Sequence, residues 1–262
     1  FREQQRKESP GPYKFQRVTG WQTDTVAGAG YGNPVNPVGL IVSIFRSSDD
    51  ATIWPFLIPS NYFAVSALRK MGEIAADVTH DEALLADATA LADEVDAALA
   101  KYARAIHPEL GEIIPYETDG YFNFNFMDDA NVPSLLSMPY LGTIDRSNPL
   151  YLRTRKFVLS KSNPYYFSGI SGHGVGSPHT GTDRIWPIAI IMKGLTASDN
   201  HDIVTSLRML RNTHAGTGFM HESFMKDDPS KFTRKWFAWA NTLFGELVLY
   251  TYRTQPELLK EV

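Results

Sequence analysis

Apolar positions along this chain recur mostly at helical spacing. Phe63, Ala67, Met71 and Ile74 fall on one face of a helix that Ser60 is placed to cap. After Asp81, a second cap, Leu84, Leu85, Ala88, Leu91, Ala92, Val95, Ala98, Leu99 and Tyr102 keep a 3.6-residue period until Pro108. The acidic residues of that stretch lie on the other face, as a solvated surface would have them. Pro133 suits the first position of a short helix ending near Pro139. Asn148-Pro149 opens another that runs to about Leu159, and Pro187 fits the first turn of the apolar segment Ile188 to Leu195. Ser198 or Asp199 starts a helix ending near Asn212. A last helix is predicted from about Lys231 to Tyr252, with Trp236, Ala240, Leu243, Phe244 and Leu247 as its core stripe. The pattern predicts about seven helices and an all-α scaffold. Leu40 to Phe45 reads equally as a strand or a helix end, and Asp119-Gly120 predicts a hairpin turn.

The connections between these helices are long and rich in Gly, Pro, His and Asp. Loops of that length in a helical domain usually carry function. Composition narrows the class further. With 43% hydrophobic residues, the chain can bury a substantial core, and residues 1–262 are read as a single domain. A net charge of -4 without a basic stripe argues against nucleic acid as a partner. The longest apolar run, Ile185 to Met192, is far short of the ~20 residues of a membrane helix. The absence of cysteine removes disulfides, thiolate metal sites and cysteine nucleophiles together. The opening residues Phe1 to Lys7 do not form a signal peptide and include no methionine, so the chain is expected to begin inside a longer one. Cytoplasmic and, in a bacterium, periplasmic or extracellular settings all stay open.

The stretch Gly216 to Phe224 places a carboxylate beside a histidine among glycines and aromatics. Its two glycines allow tight turns, and Phe219, Met220 and Phe224 offer apolar cover for Glu222. Such a carboxylate serves as a general acid or base; the plainer reading is a cap on the following helix. Two more acidic loops, Asp49-Asp50 and Asp128-Asp129 with Asn131, stand out, as does the loop Ser171 to Thr182 with His173 and His179. A zinc protease would need histidine where Met225 stands. A calcium loop would need a turn glycine and a closing glutamate that Asp129 and Asn131 lack. Ser171 and Ser223 have no nucleophile elbow. Two carboxylates in separate roles fit glycoside hydrolysis better, one protonated at the leaving oxygen and one ionised across the ring. Like-charge repulsion between Asp49 and Asp50 would hold one proton there, with Glu222 as the partner. Trp21 and Trp186 are candidates for stacking on sugar faces, against core packing as the alternative.

Several runs together resemble glycoside hydrolase family 125. They are Ser48-Asp49-Asp50-Ala51-Thr52, Phe56 to Asn61, Met127 to Leu136, Gly176 to Thr180, Ile185-Trp186-Pro187, Met220 to Phe224 and Trp236 to Asn241. The resemblance implies an (α/α)6 barrel that hydrolyses non-reducing α-1,6-linked mannose, as on N-glycans or mannan, with inversion and without metal or cofactor. It implies an aspartate of the Ser-Asp-Asp run as general acid, Asp49 or Asp50, and Glu222 as general base. Asp128, Asp129, Asn131, His179, Trp186 and His221 are the implied sugar contacts. Ser47 stands where the family is expected to have proline, which bears on loop stiffness. Members of the family are much longer than this chain, and their ring does not fit in about seven helices. The chain is therefore expected to be the C-terminal part of such a barrel, an incomplete ring that takes the missing N-terminal segment as a partner. A non-catalytic mannose-binding scaffold and a helical-barrel glycosidase of other linkage are the alternatives.

Overall fold

A computed structural model describes all 262 residues. The chain divides into two units, residues 1–126 with 141–144, and residues 127–140 with 145–262. Six α-helices dominate, and ten short strands in four small sheets occupy loops that the sequence pattern reads as irregular. The scaffold is thus mostly helical rather than all-α. No helix is long and apolar enough to cross a membrane.

In the first unit, β1 (Phe56–Leu57) leads into α1 (Ile58–Ile74), which packs on α2 (Glu82–Tyr102). Asp81 caps α2 by accepting from Leu84 N at 2.9 Å, and Ala88, Leu91, Ala92, Val95 and Leu99 are buried as their period predicts. The start of α1 differs from expectation. It begins at Ile58 with Pro59 in its first turn, and Ser60 does not cap it. Its buried face is also different: Tyr62, Val65 and Leu68 face the core, while Phe63, Met71 and Ile74 are exposed. The helix is apolar on two sides, and only contact with α2 decides which is covered. Three further pairs of short strands complete this unit, β2 (Ala105–His107) with β3 (Gly111–Ile113), and β4 (Glu117–Thr118) with both β1 and β5 (Phe124–Asn125). The hairpin predicted at Asp119-Gly120 is the β4–β5 connection. Gly120 has φ 80°, and a Cβ there would meet Asn36 O at 2.7 Å, so only glycine fits.

One buried ion pair organises this unit's irregular part. Glu117 is 0% exposed and accepts from Arg46 Nε at 2.6 Å, Ile53 N at 3.1 Å, Trp54 N at 3.2 Å and Asn125 Nδ2 at 2.9 Å. The run Leu40 to Phe45 is neither helix nor regular strand; its end forms a single antiparallel bridge, Phe45 with Ala51.

The second unit carries α3 (Pro149–Val158), α4 (Pro187–Leu195), α5 (Asn200–Thr213) and α6 (Ala238–Thr254). Asn148 and Asp199 cap α3 and α5 as the sequence predicts. The apolar α4 packs against α5 and α6, and Gly194 lets Leu247 approach within 3.1 Å of where a Cβ would sit. Its strands are β6 (Tyr166–Ser168) paired with β7 (His173–Val175), and β8 (Arg184–Ile185), β9 (Ser223–Met225) and β10 (Asp228–Thr233) in the order β10-β9-β8. Two helices differ from those the pattern predicts. Residues from Lys231 are in β10, and α6 begins only at Ala238, leaving Trp236 outside it and exposed. Residues 134–140 form turns, because Ser134 and Ser137 bond each other's backbone and Asp128 takes the N–H groups of Leu135 and Leu136 at 2.9 and 3.0 Å. Side-chain acceptors of this kind compete with helix formation.

Removing either partner of the Arg46–Glu117 pair leaves a buried charge unanswered, which costs about 3–5 kcal/mol. Arg46→Met and Glu117→Gln are each expected to lose stability on that order in urea unfolding; an effect below about 1 kcal/mol contradicts the organising role of the pair. Burial pushes the Asp128 carboxyl up to about 8, against the lowering effect of the Leu135 and Leu136 amides. A folded value above the unfolded one means that folding takes up a proton. This contribution is complete below about pH 4 and is lost as pH rises through about 8. Unfolding midpoints measured across that window should fall with pH more steeply in the unaltered chain than in Asp128→Asn, and equal slopes would refute it.

Candidate active site

The first unit contributes the Asp49-Asp50 turn. Asp49 N donates to Arg46 O at 3.1 Å, and Arg46 N donates to Asp50 O at 2.8 Å. Asp49 itself sits at φ 69°, a left-handed conformation that aspartate tolerates better than most residues. This is a three-residue hairpin loop closed by a turn and one left-handed residue. The two carboxyls then part company. Asp49 is exposed, whereas Asp50 is 0% exposed and accepts from Thr23 Oγ1 at 2.7 Å. Arg46 closes the turn with its backbone and anchors it on Glu117 with its guanidinium. Sequence reasoning missed both residues, since nothing in their spacing pairs them across 71 positions. Trp21, two residues before Thr23, is exposed.

The second unit contributes the rest. Gly216 and Gly218 both lie at φ 74°, which glycine alone adopts without strain. From there the chain enters the hairpin. Asn241 on α6 fixes its approach by accepting from Met220 N at 3.1 Å and donating to Met220 O at 2.8 Å. Glu222 N donates to Thr233 O, so Glu222 immediately precedes β9 and caps no helix. Its carboxylate is 6% exposed and lies 3.0 Å from Arg234 Nε. Arg234 is the partner the sequence did not reveal; it has φ 44° and places its guanidinium 5.8 Å from the Phe237 ring centroid. Of the predicted apolar cover, Met220 and Phe224 are buried and Phe219 is exposed.

His221 is buried flat against Phe232, with ring centroids 3.9 Å apart and planes 5° from parallel. Its Nδ1 is 2.9 Å from Lys235 O and its Nε2 3.2 Å from His214 O. Both ring nitrogens therefore face backbone carbonyls, and the side chain braces the loop from behind.

Asp129 is fully buried. Its Oδ1 accepts from Asn131 N at 3.1 Å and Asn131 Nδ2 at 3.2 Å, and its Oδ2 from Ser177 Oγ at 2.9 Å. Asn131 is thereby turned so that its Oδ1 is buried with no donor from the chain. Asp128 beside them gives both oxygens to Leu135 and Leu136. The backbone of this loop meets the loop of His179 through Ala130 N to Gly176 O at 3.1 Å. A Cβ at Gly176 would come within 2.2 Å of Arg184 O, so glycine is required for this loop to pack against β8. Ser177 also receives His179 N at 3.2 Å and so joins Asp129 to the His179 turn. Trp186 is 2% exposed and donates from Nε1 to Thr180 Oγ1 at 2.8 Å. It meets Phe237 edge-on at 5.9 Å and His179 at 6.4 Å. Its ring is packed on both sides, so it shapes the wall that carries His179 and offers no open stacking face. Exposed aromatic surface in this unit lies instead on Trp236 and Trp239.

Within this unit, then, the structure brings Asp129, Asn131 and His179 onto two bonded loops, and holds Glu222 on a hairpin tied to α6. Chemically, this supplies a carboxyl group beside an arginine, a buried amide acceptor and an imidazole. These are the groups that hold a hydroxyl-rich ring and activate a water.

Comparison with known proteins gives the family. Residues 1–249 match the family model described as metal-independent alpha-mannosidase, GH125. The meiotically up-regulated gene 157 protein of Schizosaccharomyces pombe is 41% identical over 251 residues, which are 95% of this chain and 49% of that protein. A Streptococcus pneumoniae metal-independent alpha mannosidase, solved in a non-productive substrate complex with alpha-1,6-mannobiose, superposes with a TM-score of 0.92 at 41% identity. That match covers 97% of this chain and 59% of the pneumococcal one. This chain thus spans about half the length of the fission-yeast relative, and it belongs to GH125, a family of metal-independent alpha-mannosidases.

Proposed function

We propose that this chain carries both catalytic carboxyls of an inverting exo-α-1,6-mannosidase, acting on non-reducing mannose of N-glycan- or mannan-type oligosaccharides. Residues 1–262 work as one catalytic domain, and the six helices form part of an (α/α)6 barrel completed by the rest of the polypeptide. The observation that carries the reading is the Glu222 hairpin. A nearly buried carboxylate is held in one position by Arg234 on a loop fixed to α6, in a chain of an alpha-mannosidase family. The pneumococcal relative's complex with α-1,6-mannobiose supports the linkage.

Glu222 is the general base that activates water. Asp49 is the general acid: it is the exposed member of its pair, while Asp50 has no accessible surface and is held by Thr23. Asp50 orients the turn. Asn131 Oδ1, a buried acceptor without a donor, takes a sugar hydroxyl, and His179 takes another. Asp129 positions both loops. Asp128, Trp186 and His221 act one step behind, through backbone, wall and brace. Metal and cofactor have no part in the reaction.

In the intact polypeptide, Glu222→Gln should lower turnover of α-1,6-mannobiose by roughly 10²–10⁴-fold, the usual share of general acid–base catalysis, with substrate still bound. Asp49→Asn should do the same on mannobiose but far less on an aryl mannoside whose leaving group needs no proton. Asp50→Asn should cost stability more than chemistry. Full activity in Glu222→Gln would remove the base assignment. Mannoside binding without any turnover in the unaltered protein would leave a mannose-binding scaffold, and cleavage of another linkage alone would displace the α-1,6 reading.

A further inference from the structure

A cavity with polar and apolar walls lies in the same unit as the Glu222 hairpin, and none of its lining residues belongs to the candidate active site. It measures about 240 Å³ and is formed by the β6–β7 hairpin, the C-terminal end of α3, and α4 and α5. Its polar walls are Tyr166, His173, Lys193 and Asp202, and Leu159 and Ile190 are among its apolar lining. Tyr166 pairs with Val175 across the hairpin, so Tyr166 and His173 project on the same face as diagonal neighbours. Their ring centroids are 6.4 Å apart at 49°. Opposite them, Lys193 Nζ is 2.9 Å from Asp202 Oδ1, and Arg155 Nη2 is 2.9 Å from Asp202 Oδ2. Arg155 is otherwise committed to Thr196 and the Lys193 carbonyl, which fixes Asp202 and through it Lys193.

The ring nitrogens of His173 and the hydroxyl of Tyr166 have no hydrogen-bond partner within the chain. Lys193 uses one of its three donors on Asp202. The cavity therefore presents unused donors and acceptors together, beside an aromatic face and an apolar wall. Burial, reinforced by Lys193, holds His173 below the ordinary histidine value, so at neutral pH the ring offers one donor and one acceptor. An oxyanion would meet the Asp202 carboxylate and an imidazole lone pair. A neutral polyol meets a partner at every wall. The volume is below the ~300–1,000 Å³ of drug-sized sites and suits a single monosaccharide.

We propose that this cavity is an accessory carbohydrate site for one hexopyranose, with Lys193 and Asp202 on vicinal hydroxyls and the Tyr166 ring against its C–H face. It goes beyond the hydrolysis proposed above. Only the choice of mannose as the hexose rests on that reading, so binding is read at His173 and not through turnover.

The test is a titration of intact Glu222→Gln protein, carrying ¹³C-labelled histidine, with methyl α-mannoside, followed at the His173 ring signals. The expected result is a saturable shift, weakened about tenfold in Lys193→Met and measurably in Tyr166→Phe. Tyr166→Phe in the otherwise unaltered enzyme should keep its rate on mannobiose. No saturable shift up to about 200 mM, near the weak limit of specific binding, would overturn the site. So would a shift that Lys193→Met leaves unchanged, or one produced by inorganic phosphate and not by the mannoside. Mannobiose turnover, assayed separately, decides the catalytic reading whatever His173 shows.

Discussion

Glu117 receives a guanidinium, two backbone amides and a side-chain amide in a place with no water to replace them. The same device recurs. Asp119 accepts from Tyr121 N, Asn123 N and Asn123 Nδ2, Asp128 from Leu135 N and Leu136 N, and Asp129 from Asn131 N and Ser177. A protein that places long irregular loops on a helical frame must satisfy the backbone donors that no helix or sheet takes up. In this chain buried carboxyl groups do so. They fix the loops that carry Asp49, Asp129, Asn131 and His179, whereas the Glu222 hairpin is tied to α6 by the side-chain amide of Asn241. The acidic residues are consequently of two kinds, those whose oxygens take up backbone N–H groups and build loops, and those, Asp49 and Glu222, proposed as the reactive pair, whose side chains take up none.

That division explains what was legible in the sequence. Helices with a polar cap and a clean apolar period were readable: Asp81, Asn148 and Asp199 cap α2, α3 and α5, and Pro187 opens α4. Elements went unread where side-chain hydrogen bonds to the backbone decide the local structure. The segment after Pro133 has the composition of a helix start, but Asp128 and the two serines hold it as turns. Residues 228–233 have only the adjacent Phe232 and Thr233 as strand-favouring residues, too short a run to outweigh the helical stripe that follows. On α1 the period was right and the chosen face wrong, because apolar residues lie on both sides.

For the proposed site, residue type and neighbourhood pointed to Asp49, Asp50, Asp128, Asp129, Asn131, His179 and Glu222. The partners that hold them did not show. Arg234 reaches Glu222 from across a hairpin with a left-handed residue that no composition signals, and Thr23, Glu117 and Ser177 are distant in sequence from Asp50, Arg46 and Asp129, which they hold. Trp186 and His221 were plausible sugar contacts by type. Their burial and packing make them wall and brace. An aromatic or imidazole read from sequence alone carries no information on which side of the loop it lies.

The central claim is that Glu222 directs a water molecule onto the mannose carbon from the side opposite the leaving oxygen. Proton NMR of the first sugar released from α-1,6-mannobiose by the intact protein tests it most directly. The account predicts that β-mannose appears first and only later mutarotates to the α anomer. Initial release of α-mannose would mean a covalent intermediate and a nucleophile, and would contradict Glu222 as the general base.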